Sequence, residues 1–433
     1  MSTSECGKHL VRMSSKMSKI TSKFPGMKVI RRFTSVLRWI VLGGISGLLA
    51  GIASFVFLEG LDRVTSLQTD TAWLLYFLPI AGLVIGLSNR YLAGHSSAGN
   101  ALLLKEIHLP RQWVPRRMAP LVLLGTWWTH LFGGSAGREG TALQMSGSLS
   151  DAASRVFRLS QSDRSMMLTA ALAGGFGSVF GVPFAGVIFA LEVPTVGRLR
   201  YHALVPAVIA SFIGDAMVTW LGHHHAARTA IDISMSTSTM GALVAVGVAC
   251  GIAARIFITT TSVIRTIGRR YVPSVVMRPV LGGAAVLGLT ALFGRDYLGL
   301  SLPLLDSALA GTSIALTVFA LKLLFTAVTI GTGFLGGEVT PLFVIGSTLG
   351  ASIGELLGLP IGVAAAVGMV AMFGAAANTP LACTVMGLEL FGAVAIAPIG
   401  IGCIAAWVAS GTGTIYETQR HALRRSSAGL QDP

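Results

Sequence analysis

Apolar residues run through the chain from Leu37 to Val408 in long stretches, broken only by short polar intervals. The stretches fall at about 38–60, 72–93, 117–133, 165–192, 201–221, 240–267, 279–295, 313–335, 342–357, 360–377 and 381–410. One clean helical crossing of a bilayer takes about 20 residues. Several of these runs are too short or too long for that, and Gly or Pro interrupts many of them. The pattern predicts an all-α membrane protein of tilted, broken and half-spanning helices, because an unpaired backbone is tolerated in lipid only around a protected cavity.

Composition sharpens this picture. Of 433 residues, 53% are apolar and 12% charged, unlike any soluble domain. The 53 glycines let helices approach closely, which suits a transporter better than a simple anchor. The net charge of +14 would suit nucleic acid, but its distribution does not. Lys8, Arg12, Lys16, Lys19, Lys23, Lys28, Arg31, Arg32 and Arg38 precede or open the first apolar run, and Arg420, Arg424 and Arg425 follow the last. Only Phe24 and Phe33 fall among them and no folded module presents them, so nucleic acid is not expected as a partner. Excess Lys and Arg beside membrane spans instead predicts that both termini are cytoplasmic, lying against anionic headgroups of the plasma (inner) membrane. The first thirty-odd residues lack a signal peptide's apolar core, and their Ser and Lys content leaves an organelle-targeting reading open beside that of a cytoplasmic tail.

Cys6, Cys250, Cys383 and Cys403 are scattered, the last three in apolar runs, and predict neither a disulfide nor a metal site. Three consecutive imidazoles, His223, His224 and His225, point in different directions in a loop with no acid close in sequence, so a polar loop is expected there and no metal. No cofactor is implied.

The chain also repeats itself. Gly137-Arg138-Glu139-Gly140-Thr141 lies over Gly336-Gly337-Glu338-Val339-Thr340, and Gly147-Ser148 over Gly346-Ser347 at the same spacing. Further on, Pro183, Ala185, Leu191 and Glu192 match Pro380, Ala382, Leu388 and Glu389. The organisation expected is a basic tail over 1–37, a first membrane repeat over 38–225, a second over 240–420, and a short tail over 421–433. Paired, glycine-interrupted segments are the best pointer in a sequence to a transporter's binding site. If the halves are inverted, equivalent helix starts converge near the midplane, and their free N–H groups and positive dipole ends create an anion site.

Glu139 and Glu338 are the acids on which such a site would turn. A carboxylate inside a membrane is costly, and its default reading is a proton carrier or a tethered anion competing with a mobile one; the bland reading is a glutamate in a wet loop. Glu192 and Glu389 close long apolar runs and suit helix packing as well as proton relay. Arg138 could neutralise Glu139, attract anions or bond backbone. Lys322 sits in an apolar stretch and could snorkel or face a polar cavity.

These residues resemble the CLC family of chloride channels and anion/proton exchangers over nearly the whole membrane region. The stretches that carry the resemblance are Gly137-Arg138-Glu139-Gly140-Thr141, Gly337-Glu338-Val339-Thr340-Pro341 and Gly413-Thr414-Ile415-Tyr416, with Gly99-Asn100-Ala101-Leu102 as a weaker fourth. The resemblance implies a homodimer with one anion pathway per subunit, built from two inverted repeats. It implies a gating role for Glu139, a Tyr416 hydroxyl near the central anion, and backbone amides around 139–141 and 339–341, those of Gly140, Thr141 and Val339 among them.

Departures from the chloride-type pattern are informative. Asn100-Ala101-Leu102 stands where those members carry serine, glycine and proline, Thr141 where they carry proline, and Val193 where exchangers often place an internal glutamate. With Glu338 and Thr340, these changes resemble the fluoride-exporting branch, in which fluoride leaves as protons enter and the later glutamate and threonine belong to the pathway. Fluoride is small and tightly hydrated, and hydroxyl and amide donors such as Thr340 and Asn100 could replace its water. The aromatic edge that would suit the ion is missing from Leu102-Leu103-Leu104.

A chloride-selective exchanger or channel of the same family is the competing reading. A distant one is an intramembrane serine protease, suggested by Gly133-Gly134-Ser135, which would need a histidine on a facing span.

Overall fold

The computed structural model describes residues 25–422 apart from 227, 229 and 232, and side chains from residue 34 onward. Most of the basic tail, Cys6, Arg424 and Arg425 therefore lie outside the described residues. The first helix, α1 (Pro25–Asp70), spans 46 residues, far more than a perpendicular crossing takes. After a 3-10 turn at Ala72–Phe77 come α2 (Leu78–Ser88), α3 (Asn100–His108) and α4 (Met118–Leu131). The heart of the first half is α5 (Glu139–Val156), α6 (Gln161–Phe180) and α7 (Pro183–Glu192), followed by α8 (Leu204–Trp220). The second half comprises α9 (Thr237–Tyr271), α10 (Met277–Phe293), α11 (Leu302–Leu309), α12 (Thr317–Thr332), α13 (Val339–Leu356), α14 (Ile361–Ala377), α15 (Pro380–Phe391) and α16 (Ile396–Ser410). Six helical stretches among the described residues are long and apolar enough to cross a membrane.

The apolar runs over 165–192 and 381–410 are each two helices. Gly181, at φ +70°, ends α6, and Pro183 opens α7; Gly392, at φ +90°, ends α15 before α16. Glycine takes up the left-handed backbone that a side chain resists, and proline in a first turn forfeits an N–H with no intrahelical partner anyway. Small residues hold the centre together. A Cβ on Gly346 would lie 2.2 Å from the Gly368 carbonyl oxygen, and one on Gly368 the same distance from that of Gly346, so α13 and α14 meet backbone to backbone.

The halves exchange contacts reciprocally. Glu192, closing α7, accepts hydrogen bonds from the amides of Leu381 and Ala382 at 3.2 and 2.8 Å. Glu389, near the end of α15, accepts from Phe184 and Ala185 at 2.9 and 2.7 Å. Each carboxylate thus caps the positive end of the other repeat's helix, an antiparallel embrace that makes both glutamates structural caps.

The helical expectation omits one short sheet. β1 (Thr195–Val196) pairs in parallel with β2 (Arg420–His421), Thr195 opposite Arg420. It anchors the segment after α16, which carries Tyr416. That segment is also held by Ile415 N–H on the Ala376 carbonyl (2.9 Å), Thr418 on Ala101 (2.9 Å), and Gln419 on Val193 and Ala377 (2.8 and 2.9 Å).

Basic residues gather toward the face where α1 begins. Arg38 meets Asp163 at the start of α6 (2.8 Å). Next to it Arg164, buried, spans Asp151 and Glu106 at 2.5 and 3.0 Å with its guanidinium over Trp113. Arg200 reaches Ser165 (3.1 Å) on the same face.

Candidate anion site and its two vestibules

The site forms where α5 and α13 begin. Gly137 and Gly337 pair as an antiparallel bridge, each amide donating to the other's carbonyl at 2.6 and 2.7 Å. Glycine is required at both positions. A Cβ on Gly337 would stand 2.8 Å from the Glu139 Oε2 and 2.9 Å from the amide nitrogens of Glu139 and Gly140; one on Gly137 would stand 2.7 Å from the Pro341 ring.

Beyond the bridge, intrahelical bonding starts with Ala142 N–H on Arg138 and Leu342 N–H on Glu338. The preceding amides, 139–141 on one helix and Val339 and Thr340 on the other, are therefore first-turn donors. Pro341 has no N–H, so the amide set expected around 339–341 ends at Thr340. Into this space projects the fully buried carboxylate of Glu139. Its Oε2 accepts from the Thr340 amide at 3.1 Å, and its Oε1 accepts from the Thr340 hydroxyl. A carboxylate held this way occupies an anion's place.

The bridge also resets the pairing of the repeats. Sequence overlay sets Glu139 on Glu338, but the bridge sets Gly137 on Gly337, so Arg138 and Glu338 are the equivalent residues. Both are N-caps with the same backbone, φ −112° and −105°, ψ −23° and −18°. The glycine-rich stretches tolerate a one-residue shift, and the closer match of letters had hidden the register. Glu139 corresponds to Val339 and has no acidic twin.

The two caps face different cavities. One, of about 210 Å³, is lined by Arg138, Thr340, Phe180, Phe343, Asp62 and His223 among others; in it Arg138 Nε lies 4.0 Å from Glu139 Oε1. The other, of about 550 Å³, is lined by Glu338, Asn100, Tyr416, Gln144, Arg265 and Glu417 among others. Arg265 and Glu417 are paired at its wall. Asn100 begins α3 with its buried Oδ1 free of hydrogen bonds, and Tyr416 is buried. Glu139 and Thr340 thus stand between two vestibules: that of Arg138, which is the outer one if the termini are cytoplasmic as expected, and that of Glu338, Asn100 and Tyr416, then the inner one. Thr141 is the exception among the expected donors: its hydroxyl is taken up with Thr126 at 2.6 Å, leaving only its amide for the site.

Sequence reasoning missed the aromatic lining. Phe180 and Phe343 lie 5.3 Å apart between ring centres beside the outer cavity, Phe373 stands edge-on to Phe343 at 5.6 Å, and Phe189 edge-on to Tyr416 at 6.3 Å. Leu102, Leu103 and Leu104 are core residues. The only available signal was Phe343 one turn after Thr340, and Phe373 as the one ring in the Gly/Ala-rich α14.

The histidine loop does have acidic neighbours, supplied by the distant α1: His223 Nδ1 lies 3.5 Å from Glu59 and 3.9 Å from Asp62. Lys322 does not snorkel, and it lines neither vestibule. Fully buried, it donates to Ser135, Ser301, Gly299 and Tyr297 within 3.2 Å, pinning three segments. The Ser135 hydroxyl is buried between Lys322 and Thr326, both at 2.9 Å, with no histidine on it, so the protease reading falls.

Residues 81–411 match the family model described as voltage gated chloride channel. The chain is 41% identical over 409 residues to a chloride/fluoride channel protein of Pseudomonas syringae pv. tomato, covering 92% of this chain and 90% of that one. It is 25% identical over 402 residues to an H(+)/Cl(-) exchange transporter of Yersinia pestis bv. Antiqua, covering 84% and 82%. Its fold is similar to the crystal structure of a CLC-type fluoride/proton antiporter, with a TM-score of 0.87 and 32% identity over 90% of this chain and 99% of that one. A slow cyanobacterial Cl-/H+ antiporter, at 21% identity over 87% and 93% of the two chains and a TM-score of 0.71, shares the fold.

Proposed function

The chain belongs to the voltage gated chloride channel family, the CLC proteins, and from that premise we propose that it exports fluoride in exchange for protons. The observation that carries the reading is the Glu139 carboxylate seated on the Thr340 hydroxyl and amide, at the facing starts of α5 and α13. A tethered anion on those donors is exchangeable for a mobile one. When Glu139 takes a proton it loses its charge-assisted bonds and swings toward Arg138 and the outer cavity. Fluoride then takes the vacated donors, with the amides of Gly140, Thr141 and Val339 completing its shell. Asn100 and Tyr416 receive the ion from the inner vestibule, and Glu338 is the second acid of the pathway.

Fluoride rather than chloride is supported by the donor set. A hydroxyl and close amides replace the tight hydration of a small ion better than that of a large one. The similarity to a CLC-type fluoride/proton antiporter points the same way.

We place the protein in the plasma (inner) membrane as a homodimer with both termini cytoplasmic and one pathway per subunit, the repeats running over 38–225 and 240–420. The basic residues gathered on the face where α1 begins support this orientation.

The test is efflux from liposomes containing the purified protein, with fluoride and chloride compared and pH recorded in the same sample. Fluoride efflux with opposing proton movement is expected; chloride efflux of equal or greater size would move the protein to the chloride-selective reading.

A further inference from the structure

The outer cavity holds titratable groups that the exchange cycle above does not use. His223, from the loop between α8 and α9, has a side chain only 13% exposed and lies between two carboxylates of α1: Glu59, 38% exposed, and Asp62, 61% exposed. The acids reach water while the imidazole sits behind them. The same cavity is lined by Arg138 and Thr340, the residues that touch Glu139. Its volume of about 210 Å³ accommodates a short file of waters.

We propose that His223, backed by Glu59 and Asp62, collects protons from the outer solution and supplies them through this cavity to Glu139. The inference rests on the proton-exchange reading above.

The step is a simple transfer. The Glu59 or Asp62 carboxylate takes a proton from the outer water and, as the neutral acid, passes it to the His223 ring, or water protonates the ring directly. The imidazolium releases it to cavity water, and it comes to rest on a Glu139 carboxyl oxygen, leaving His223 neutral. Imidazole suits this duty because its two ring nitrogens allow a proton to be taken up on one side of the ring and given up on the other.

The charged and titratable groups around His223 are consistent with it. Glu59 and Asp62 face it from α1, with Arg63 3.8 Å from Glu59. Arg138 approaches from the start of α5, and Arg228 belongs to the same loop but is paired with Asp306 of α11 at 2.5 Å. His225 stands edge-on to His223, 5.4 Å between ring centres. Burial, reinforced by the charge of Arg138, pushes His225 down to about 4, so it stays neutral. His224 is exposed. The two carboxylates offset the Arg138 charge, which would otherwise oppose an imidazolium in this cavity.

The experiment is proton-coupled fluoride transport by His223→Gln in right-side-out and in inverted membrane vesicles, with the pH of each compartment set separately. Transport should fall about tenfold or more when protons come from the His223 side at about pH 7.5, and recover when that side is made acidic or given added imidazole. With protons supplied from the opposite side it should match the wild type. Asp62→Asn, an exposed and structurally mild change, should give a weaker defect of the same sidedness. A His223→Gln profile identical to wild type on both sides would overturn the inference, as would a defect that imidazole and acid leave unchanged. Failure of the exchange reading looks different: wild type itself would then move fluoride with no protons.

Discussion

At the scale of single residues, the proposed cycle divides the roles between a movable anion, Glu139, and the Thr340 donors it sits on. Glu139→Gln keeps the side chain's volume but cannot cycle a proton, so fluoride should still pass while the accompanying pH change disappears; proton-driven fluoride uptake by this variant would remove Glu139 from the gate. Thr340→Val deletes a hydroxyl donated to a charged group. A hydrogen bond of that kind contributes about 1.5–3 kcal/mol, so fluoride turnover should drop roughly 10–100-fold, with Thr340→Ser restoring most of it. Equal turnover in the valine variant would leave the Thr340 amide as the only donor that matters. Glu338→Ala should severely impair turnover without disturbing Glu139, since the two acids face different vestibules. These residues were legible in the sequence because an acid amid apolar residues stands out. The phenylalanines around them were not, because a phenylalanine in a membrane helix is ordinary until packing sets its ring beside a cavity.

At the scale of elements, what the sequence displayed was the duplication, and what it blurred was the register. Glycine-rich stretches match one another in several alignments, and only the Gly137–Gly337 bridge fixes Arg138 against Glu338. The later match was easier to read, because Pro183 and Pro380 each open a helix and Glu192 and Glu389 each lie at the far end. Their function there, a carboxylate on the other helix's amides, is a contact between residues about 190–205 apart that no local pattern reveals. It predicts a matched pair of defects. Glu192→Ala leaves the amides of Leu381 and Ala382 without their acceptor and Glu389→Ala those of Phe184 and Ala185. Each loss of a helix cap should cost about 1 kcal/mol, read as a lower thermal midpoint in detergent. The Glu192 variant should be the worse of the two, because Glu192 is buried and Glu389 only half-buried, so water replaces the lost acceptor less readily. A Glu192→Ala protein as stable as wild type would return that residue to the proton pathway.

At the scale of the whole molecule, hydropathy and the basic termini already implied a membrane protein with a preferred orientation. They could not show that one crossing point separates two vestibules of opposite character. The outer one is bounded by the loop between the repeats, the inner one by the segment after α16 that β1 and β2 tie down. Each repeat therefore closes one vestibule with an N-cap of different charge, Arg138 outside and Glu338 inside. In the proposed cycle that asymmetry would let an otherwise two-fold architecture distinguish the side that supplies protons from the side that supplies fluoride. It has a direct consequence for labelling in intact cells. In a Cys6→Ser background, where Cys250, Cys383 and Cys403 are buried, Arg228→Cys should react with a membrane-impermeant maleimide added outside. Arg269→Cys, lining the inner vestibule, should react only after the membrane is permeabilised. The reverse pattern would invert the orientation, turn the basic face outward, and make His223 a cytoplasmic group. Labelling of both positions from outside would mean that the inner vestibule communicates with the outer one past Glu139, which coupled exchange does not allow.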